Sequence, residues 1–527
     1  MTNTIGGMAD ADCILVTGAN VSETHPVTGT YIKNAVQKGA KLIIVDPRKI
    51  DLVRQSHLWM RQRGGTDVAW INGMVHVIIK EGLANETFIK ERTENFEEVK
   101  KTVESYTPER VEEITGIPKE KLIEAARVFA TSEKSSIVYS MGITQHTTGC
   151  NNVTALANLA MVTGQIGRAG TGVNPLRGQN NVQGACDMGA VPVVYTGYQK
   201  VGDPAVQEKF EKAWGVEGLS PEPGLTVVEI VKGGKSKKVR GLYIMGENPM
   251  LSDPNQQHVE ESLKAVDFLV VQDIFMSETA QLADVVLPAA AFAEKDGTFT
   301  NSERRVLRIR KAVEPQGEAR ADWEIISGIA KRMGYNMEYA NAQEIFEEIS
   351  AVTPSYGGIS YKRIEQRGLQ WPCPTPEHPG TEFLHGASFA RGLGMFKGVE
   401  YKPSAETTDN DYPFMLSTGR VMYHYHTATM TRKSTPLNKF VKDAYAEVNA
   451  GDLEKLGVKD GDRIKVATRR GEIEIYAKKS DRVDEGVIFI PFHFVESPAN
   501  RLTNDALDPV AKTPELKVAA CKVEKLA

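Results

Sequence analysis

The most regular pattern along the chain is an alternation of apolar runs with amphipathic segments. The apolar run CILVTG at 13–18 precedes the helical pattern TGTYIKNAVQKGA and a second apolar run, KLIIVDP, at 41–47. The same order recurs at 239–275, in VRGLYIMGENPM, NQQHVEESLKAV and DFLVVQDIF. Each copy is a βαβ pattern, and continuous Val, Ile and Leu runs are typical of strands buried on both faces of a parallel sheet. The sequence therefore predicts two doubly wound α/β domains.

The rest of the chain predicts helices, a ribbon and a barrel. Helical patterns cover 67–81 and 119–130, and a basic, ribbon-like stretch follows a Gly turn near 292–320. A segment rich in Pro and Gly predicts an irregular connection, and the alternation from Tyr412 onward predicts a compact β-barrel. We therefore expect four regions: a first dinucleotide-binding α/β domain at 1–180, a second, incomplete one at 181–345, the connection at 346–410 and the barrel at 411–527.

Composition narrows the class of protein. With 527 residues the chain is long enough for several domains, and its net charge of −5 gives no indication of a nucleic-acid or anionic-membrane partner. No apolar run is long enough to span a bilayer, and the first residues do not resemble a signal peptide, so we expect a cytoplasmic protein without a membrane span. The five cysteines form no CxxC pair, which argues against a disulfide framework and against a local iron–sulfur or zinc site.

The loop GVNPLRGQNNVQGACDMG at 172–189 is the strongest candidate for a functional segment. Its only strong cation, Arg177, lies beside the amides of Gln179, Asn180 and Asn181. A guanidinium among amides and glycines suits a small anion or a very polar cofactor, because glycines allow close backbone approach. The alternative is an arginine that satisfies the carbonyl groups of its own loop.

The two βαβ copies carry the same polar residues at matching positions: Gly18, Asn20 and Asp46 in the first, Gly246, Asn248 and Asp273 in the second. In dinucleotide-binding sheets the first turn faces phosphates, and a carboxylate after the second strand binds the nucleoside. The GxGxxG fingerprint of simple NAD binding is absent. The alternative is ordinary Asn turns and a capping Asp, but duplication favours a dimeric ligand or two copies of one nucleotide.

Several histidines are weaker candidates. His424 and His426 follow Arg420 at a spacing that could form a metal pair, but without an evident third ligand we expect hydrogen bonds to a polar cofactor and assign no metal ligand. His25 is expected to cap a helix or contact phosphate, with capping the default, and His146 follows a strand end where ligand contacts concentrate. No GxSxG elbow or P-loop supports a hydrolase or an NTPase.

The segments DVVLPAAAFAEKDGTFTNSERRV and RGQNNVQGACDMG, together with the terminal barrel, resemble molybdopterin oxidoreductases of the dimethyl sulfoxide reductase type. The loop at 172–189 resembles that of formate dehydrogenase alpha chains in particular. The resemblance implies that the barrel has six strands and the double-psi topology. It also implies two molybdopterin guanine dinucleotides with molybdenum or tungsten, and reversible two-electron oxidation of formate to carbon dioxide.

The resemblance also implies roles for individual residues. Arg177 would hold the formate carboxylate with Gln179 beside it, and Asp46 and Asp273 would each bind one guanine. The further implied cofactor contacts are Gly18, Asn20, Gly65, Asp67, Met141, Gly142, Gln145, Gly246, Glu247, Gln272, Asp322, Thr418, Arg420, His424, Tyr425, Asn500 and Lys517.

The sequence departs from the family pattern at its start. The family's Cys-rich segment, which binds a four-iron–four-sulfur cluster, and its Cys or selenocysteine metal ligand have no counterpart here. We expect the cluster-binding segment and the metal ligand to lie upstream of Met1. Either an in-frame UGA codon for selenocysteine separates them from this reading frame, or a separate subunit carries them. The chain alone is then incomplete for catalysis and works with iron–sulfur, hydrogenase or NAD-reducing subunits. The alternatives are a nitrate-type molybdopterin oxidoreductase and a cofactor-binding fragment that is inactive alone.

Overall fold

The computed structural model describes residues 1–526, which form two compact units. The first unit comprises residues 1–178, 254–256 and the chain from Phe383 onward, and the second comprises 179–253 and 257–382. A search of the described residues for a helix with the length and apolarity to cross a membrane finds none.

The first unit contains a five-stranded parallel sheet with the order β3-β2-β1-β5-β6. Its strands are β1 Cys13–Thr17, β2 Lys41–Val45, β3 Leu58–Met60, β5 Ser135–Tyr139 and β6 Gly172–Pro175, and the short β4 Thr93–Glu94 pairs with β15 Gly394–Met395 elsewhere in the unit. Cys13 and Leu15 pack into one apolar core, whereas Ile14 and Val16 pack into another. Both faces of this sheet are therefore buried, as the sequence predicts.

Nine helices accompany this sheet: α1 Val21–Thr24, α2 Pro26–Gln37, α3 Asp67–Lys80, α4 Glu86–Arg92, α5 Phe96–Val103, α6 Pro108–Thr115, α7 Lys119–Thr131, α8 Met141–Thr144 and α9 Gly149–Val162, with 3₁₀ turns at Gly6–Asp10 and Asp51–Gln55. Local signals explain several boundaries. For example, the Thr107 side chain accepts a hydrogen bond from the first turn of α6, and Gly116 ends that helix with φ 74°. The helices predicted at 67–81 and 119–130 are confirmed as α3 and α7.

The C-terminal part of the first unit is a closed barrel of six strands in the order β16-β20-β17-β19-β18-β21. Its elements are β16 Phe414–Gly419, α17 Thr435–Phe440, β17 Tyr445–Val448, α18 Ala450–Lys455, β18 Arg463–Ala467, β19 Glu472–Lys479, β20 Val487–Pro491 and β21 Ala519–Lys525, with 3₁₀ turns at Thr431–Lys433 and Ala499–Arg501. Buried and exposed residues alternate along most of β19, because successive side chains of a strand point to opposite sides. The predicted six-stranded barrel is confirmed.

The second unit is built on a three-stranded parallel sheet and an antiparallel ribbon. The strands are β7 Val194–Tyr195, β8 Gln199–Lys200, β9 Gly241–Met245, β10 Phe268–Asp273, β11 Val285–Pro288, β12 Gly297–Thr300, β13 Arg305–Ile309 and β14 Leu369–Gln370. The helices are α10 Val182–Asp187, α11 Pro204–Trp214, α12 Val227–Lys235, α13 Pro249–Ser252, α14 Gln256–Ala265, α15 Asp322–Arg332 and α16 Ala342–Val352, with 3₁₀ turns at Thr196–Tyr198, Ala280–Leu282, Phe292–Glu294 and Pro354–Tyr356. The ribbon predicted near 292–320 is present as β12 and β13.

One expectation is wrong for the second unit: its parallel sheet is not buried on both faces. Ile244 and Leu269 pack into an apolar core with residues of α12 and α14. Tyr243, Met245 and Phe268 point the other way and keep 40%, 50% and 51% of their surface exposed. The apolar runs of these strands are typical of a sheet with helices on both faces. Among the described residues, however, helices pack on only one face of this sheet.

Candidate functional site

The first unit contains a cavity at the carboxyl ends of its parallel strands. The turns after β1, β2 and β5 line it from the sheet. Met415 and residues 417–420, in β16 and directly after it, line it from the barrel. The strand order places a topological switch point between β1 and β5, which is where ligands of open α/β sheets bind. The space not filled by protein atoms is about 1050 Å³, including its opening to solvent.

Two glycine turns form the floor of this cavity in direct backbone contact. The amide of Gly142 donates to the carbonyl oxygen of Gly18 at 3.0 Å, and Gly18 has φ 55°. A Cβ atom on Gly142 would lie 2.5 Å from the Cα atom of Gly18. Only glycine therefore allows this packing. Beside the turn, both amide atoms of Asn20 are buried without a hydrogen-bond partner among the described residues, which suits a polar ligand.

Two cations face the cavity without forming an ion pair within the described part of the chain. The guanidinium of Arg420 lies against the backbone at Gly178, and burial lowers its pKa to about 10. Its Nε atom has no hydrogen-bond partner among residues 1–526. Lys517 donates to the carbonyl oxygen of Thr418 at 2.8 Å, and burial together with the charge of Arg420 lowers the pKa of Lys517 to about 7. Such uncompensated cations suit an anionic ligand.

Two carboxyl groups complete the wall. Asp46 follows β2, accepts a hydrogen bond from the backbone amide of Arg48 at 2.9 Å, and has a pKa raised to about 6 by burial. The side chain of Arg48 is held by Glu447 of β17 at 2.6 and 2.9 Å. Asp67, at the start of α3, also has a raised pKa because it is buried. Asp46 thus stands where a nucleoside-binding carboxylate is expected.

The loop that contains Arg177 begins at the edge of the same cavity. Nε2 of His25 lies 2.7 Å from the carbonyl oxygen of Arg177, and Nδ1 lies 2.8 Å from Oγ1 of Thr24. His25 therefore fixes the loop backbone. The expected capping role is wrong, because its ring reaches the loop and makes no side-chain cap of α2. Gln179 is the first residue of the second unit.

The second set of predicted residues lies in the second unit around the end of β10. Asp273 accepts a hydrogen bond from the amide of Ile274 at 2.6 Å, and burial raises its pKa. Gln272 donates to Asp322 at 2.6 Å, Glu247 accepts from a serine hydroxyl, and Gly246 has φ 63°. Asn248, the counterpart of Asn20, instead binds Glu278 and Thr279 within its own fold. The turns of the two βαβ units therefore match in sequence position. They differ in which polar side-chain atoms are left without a protein partner and can bind a ligand.

The structure brings ten predicted residues to the first cavity: Gly18, Asn20, Asp46, Gly65, Asp67, Met141, Gly142, Thr418, Arg420 and Lys517. Gln145, His424, Tyr425 and Asn500 do not line it. The ring of His424 is 2.8 Å from the carbonyl oxygen of Val441, and the carbonyl of Gln145 accepts from a backbone amide. Their predicted cofactor contacts stay predictions.

Sequence reasoning missed Gln62, Ser417 and Phe489, which also line the cavity. The polar, Gly-rich loop RQRGGTD was the available signal for Gln62, whose buried Oε1 has no partner among the described residues. Within residues 1–526, no group of three or more His, Cys, Asp and Glu side chains has the arrangement of a metal site.

Comparison with known proteins identifies the family. The family described as molybdopterin oxidoreductase matches residues 1–332, and the molydopterin dinucleotide binding domain matches residues 414–520. The chain belongs to the molybdopterin oxidoreductase family. The second match covers most of the closed barrel and includes Thr418, Arg420 and Lys517 of the cavity wall.

Two relatives in this family show how far the similarity extends. The chain is 51% identical over 530 residues to the F420-dependent formate dehydrogenase subunit alpha of Methanocaldococcus jannaschii, covering 100% of this chain and 78% of the relative. It is 40% identical over 533 residues to formate dehydrogenase H of Escherichia coli, covering 100% of this chain and 74% of the relative. Acetylene hydratase from Pelobacter acetylenicus has the same fold, with a TM-score of 0.78 at 23% identity over 99% of this chain and 81% of that one.

Proposed function

We propose that this molybdopterin oxidoreductase is the catalytic alpha subunit of a formate dehydrogenase, which oxidises formate reversibly to carbon dioxide. The observation that carries the proposal is the 51% and 40% identity, over the whole chain, to two formate dehydrogenase chains from distant organisms. The Arg177 loop adds chemical support, since its guanidinium suits a small carboxylate.

The residues of the first cavity fit a molybdopterin dinucleotide. Arg420 and Lys517 offer positive charge for its phosphates, the orphaned amide of Asn20 offers a further polar contact, and Asp46 would bind the guanine base. Asp273 would bind the guanine of a second dinucleotide in the second unit. When bound, the cofactor would carry molybdenum or tungsten, which accepts the two electrons of formate. A four-iron–four-sulfur cluster on an associated segment stays part of the proposal.

Arg177 would hold the carboxylate of formate, with Gln179 beside it. His25 and the Arg420–Gly178 contact support this assignment, because both hold the backbone directly after the Cα atom of Arg177. A fixed backbone limits where the guanidinium can reach, and orientation of this kind is a major source of rate enhancement.

The test is formate-dependent reduction of a viologen dye by the purified holoenzyme with its associated subunits. Arg177→Lys keeps the charge but loses the two parallel N–H donors of the guanidinium. We therefore expect kcat/KM to fall by roughly 10- to 150-fold, the equivalent of about 1.5–3 kcal/mol for a charged hydrogen bond. Metal and pterin content should not change. Arg54→Lys, at an exposed position, is the matched control and should retain wild-type activity.

Two results would contradict these assignments. Full formate oxidation by Arg177→Lys would exclude the substrate role of Arg177. A fully loaded wild-type enzyme that reduces nitrate but is inert to formate would instead favour the nitrate-type alternative, and one that is inert to both would favour cofactor binding alone.

The electron acceptor is also proposed from the relatives. The M. jannaschii relative is described as F420-dependent, as are two Methanococcus maripaludis relatives at 49% and 48% identity. We therefore propose that electrons pass through an iron–sulfur subunit to a deazaflavin of the F420 type. A cytoplasmic location is proposed as well.

A further inference from the structure

His146 stands at the wall of the first cavity, and its buried ring is held through both nitrogens. Nδ1 lies 2.8 Å from Oε1 of Glu515, and Nε2 lies 2.9 Å from the carbonyl oxygen of Gly142. The other Glu515 oxygen accepts from the amide and the hydroxyl of Thr147 at 3.1 and 3.0 Å. A carboxylate and a carbonyl only accept hydrogen bonds, so both ring nitrogens have to donate. Only a positively charged imidazolium does so.

The charged groups that face this ring are Glu515 and Asp67, whose Oδ2 lies 3.9 Å from Nε2. Burial alone would lower the pKa of His146, but the hydrogen bond and charge of Glu515, with a smaller contribution from Asp67, raise it above the usual value. Asp46 and Lys517 also line the cavity. Glu515 is thus the group that stabilises the charged form of this buried ring.

The His146–Glu515 pair joins the two halves of the cavity. His146 follows the turn after β5, whereas Glu515 precedes the barrel strand β21, 369 residues later in the chain. A second bond runs alongside, from the amide of Leu516 to the carbonyl oxygen of Gln145 at 3.2 Å. The ring also donates a hydrogen bond to the carbonyl oxygen of Gly142, the residue that packs against Gly18. The His146–Glu515 pair therefore connects the floor of the cavity to its barrel wall.

We propose that His146 is a positioning residue for the dinucleotide cofactor, kept as an imidazolium by Glu515 so that the turn at 141–145 stays closed against the cavity. The proposal requires that the family's cofactor occupies this cavity, but it does not depend on formate being the substrate. Its failure and the failure of the proposed activity are therefore distinguishable, because the readout is cofactor retention.

Glu515→Gln separates the charge from the contacts. The glutamine amide can donate to a neutral His146 and its oxygen can accept from Thr147, so each contact survives while the charge is lost. His146→Gln removes one of the two ring donors. His57→Gln is the matched control, since the His57 side chain is 31% exposed and pairs with Glu124 at 3.1 Å, away from the cavity.

The measurement is the rate at which purified holoenzyme releases pterin, detected by fluorescence after oxidation, at pH 6 and pH 8. We expect wild type and His57→Gln to release it slowly at both pH values. Glu515→Gln should release pterin at least fivefold faster than wild type at pH 8, because burial keeps the ring neutral there once the charge of Glu515 is lost. His146→Gln should release it at least fivefold faster at both. Wild-type release by Glu515→Gln at pH 8 would overturn the role of the charge, and wild-type release by His146→Gln would overturn the positioning role.

Discussion

Lys517 is predicted to destabilise the protein without cofactor and to stabilise its complex with the cofactor. The side chain of Lys517 lines the cavity and donates to a backbone carbonyl oxygen. Its ammonium group has no carboxylate ion-pair partner among the described residues. Its pKa falls from 10.5 to about 7 in the folded protein. Below pH 7 both folded and unfolded chains carry the proton, so the full cost of burying the charge is present. The cost disappears as the pH rises from about 7 toward 10.5, because there the folded chain has already released the proton.

The size of this effect follows from the shift. At about 1.4 kcal/mol per pKa unit the shift is equivalent to roughly 5 kcal/mol, an upper bound because water in an open cavity screens the charge. We expect Lys517→Met to stabilise the cofactor-free protein by about 2–3 kcal/mol at pH 6.5, and by progressively less toward pH 10.

The assay is urea unfolding of protein produced without pterin synthesis, at pH 6.5, 8 and 9.5, with Lys402→Met at an exposed position as control. In holoenzyme the same Lys517→Met change should accelerate pterin loss, because the phosphates lose a cation. The reasoning fails if cofactor-free Lys517→Met is no more stable than wild type at pH 6.5, or if Lys402→Met gives the same gain.

Two further predictions concern the walls of the cavity. Gly142→Ala would place a Cβ atom 2.5 Å from the Cα atom of Gly18, so we expect this variant to lose its bound pterin. Gly297→Ala is the control and should keep its cofactor, because a Cβ atom at Gly297 meets open space. Equal pterin contents in the two purified variants would show that the close Gly142–Gly18 packing is not needed for cofactor binding. Glu447→Gln leaves the guanidinium of Arg48 buried without a carboxylate in bidentate contact, and should lower the free energy of unfolding by about 3–5 kcal/mol in urea titrations. A loss below about 1 kcal/mol, the level of a surface pair, would show that the pair is not buried in solution.

The sequence predicted the elements well because their signals are local. An apolar run, a Gly-x-Asn turn and an amphipathic helix identify a βαβ unit wherever they occur, and both copies are present in the structure. Strand alternation also sufficed to predict the C-terminal β-barrel, whereas its six strands were implied by the resemblance to the family. The predicted cavity residues came largely from resemblance to the family, and ten of them line one cavity.

The sequence by itself determined the fold class, the family resemblance and the positions of the two matching turns, since all of these are properties of short segments. Only the tertiary structure decided which polar groups are available to a ligand. Asn20 and Asn248 are alike in sequence, but neighbours distant in the chain satisfy Asn248 and leave Asn20 orphaned. The partnership of His146 with Glu515 spans 369 residues and has no local signature. Burial and charge pairing depend on segments that meet only in the folded chain, and these are the quantities that set the pKa values of the cavity.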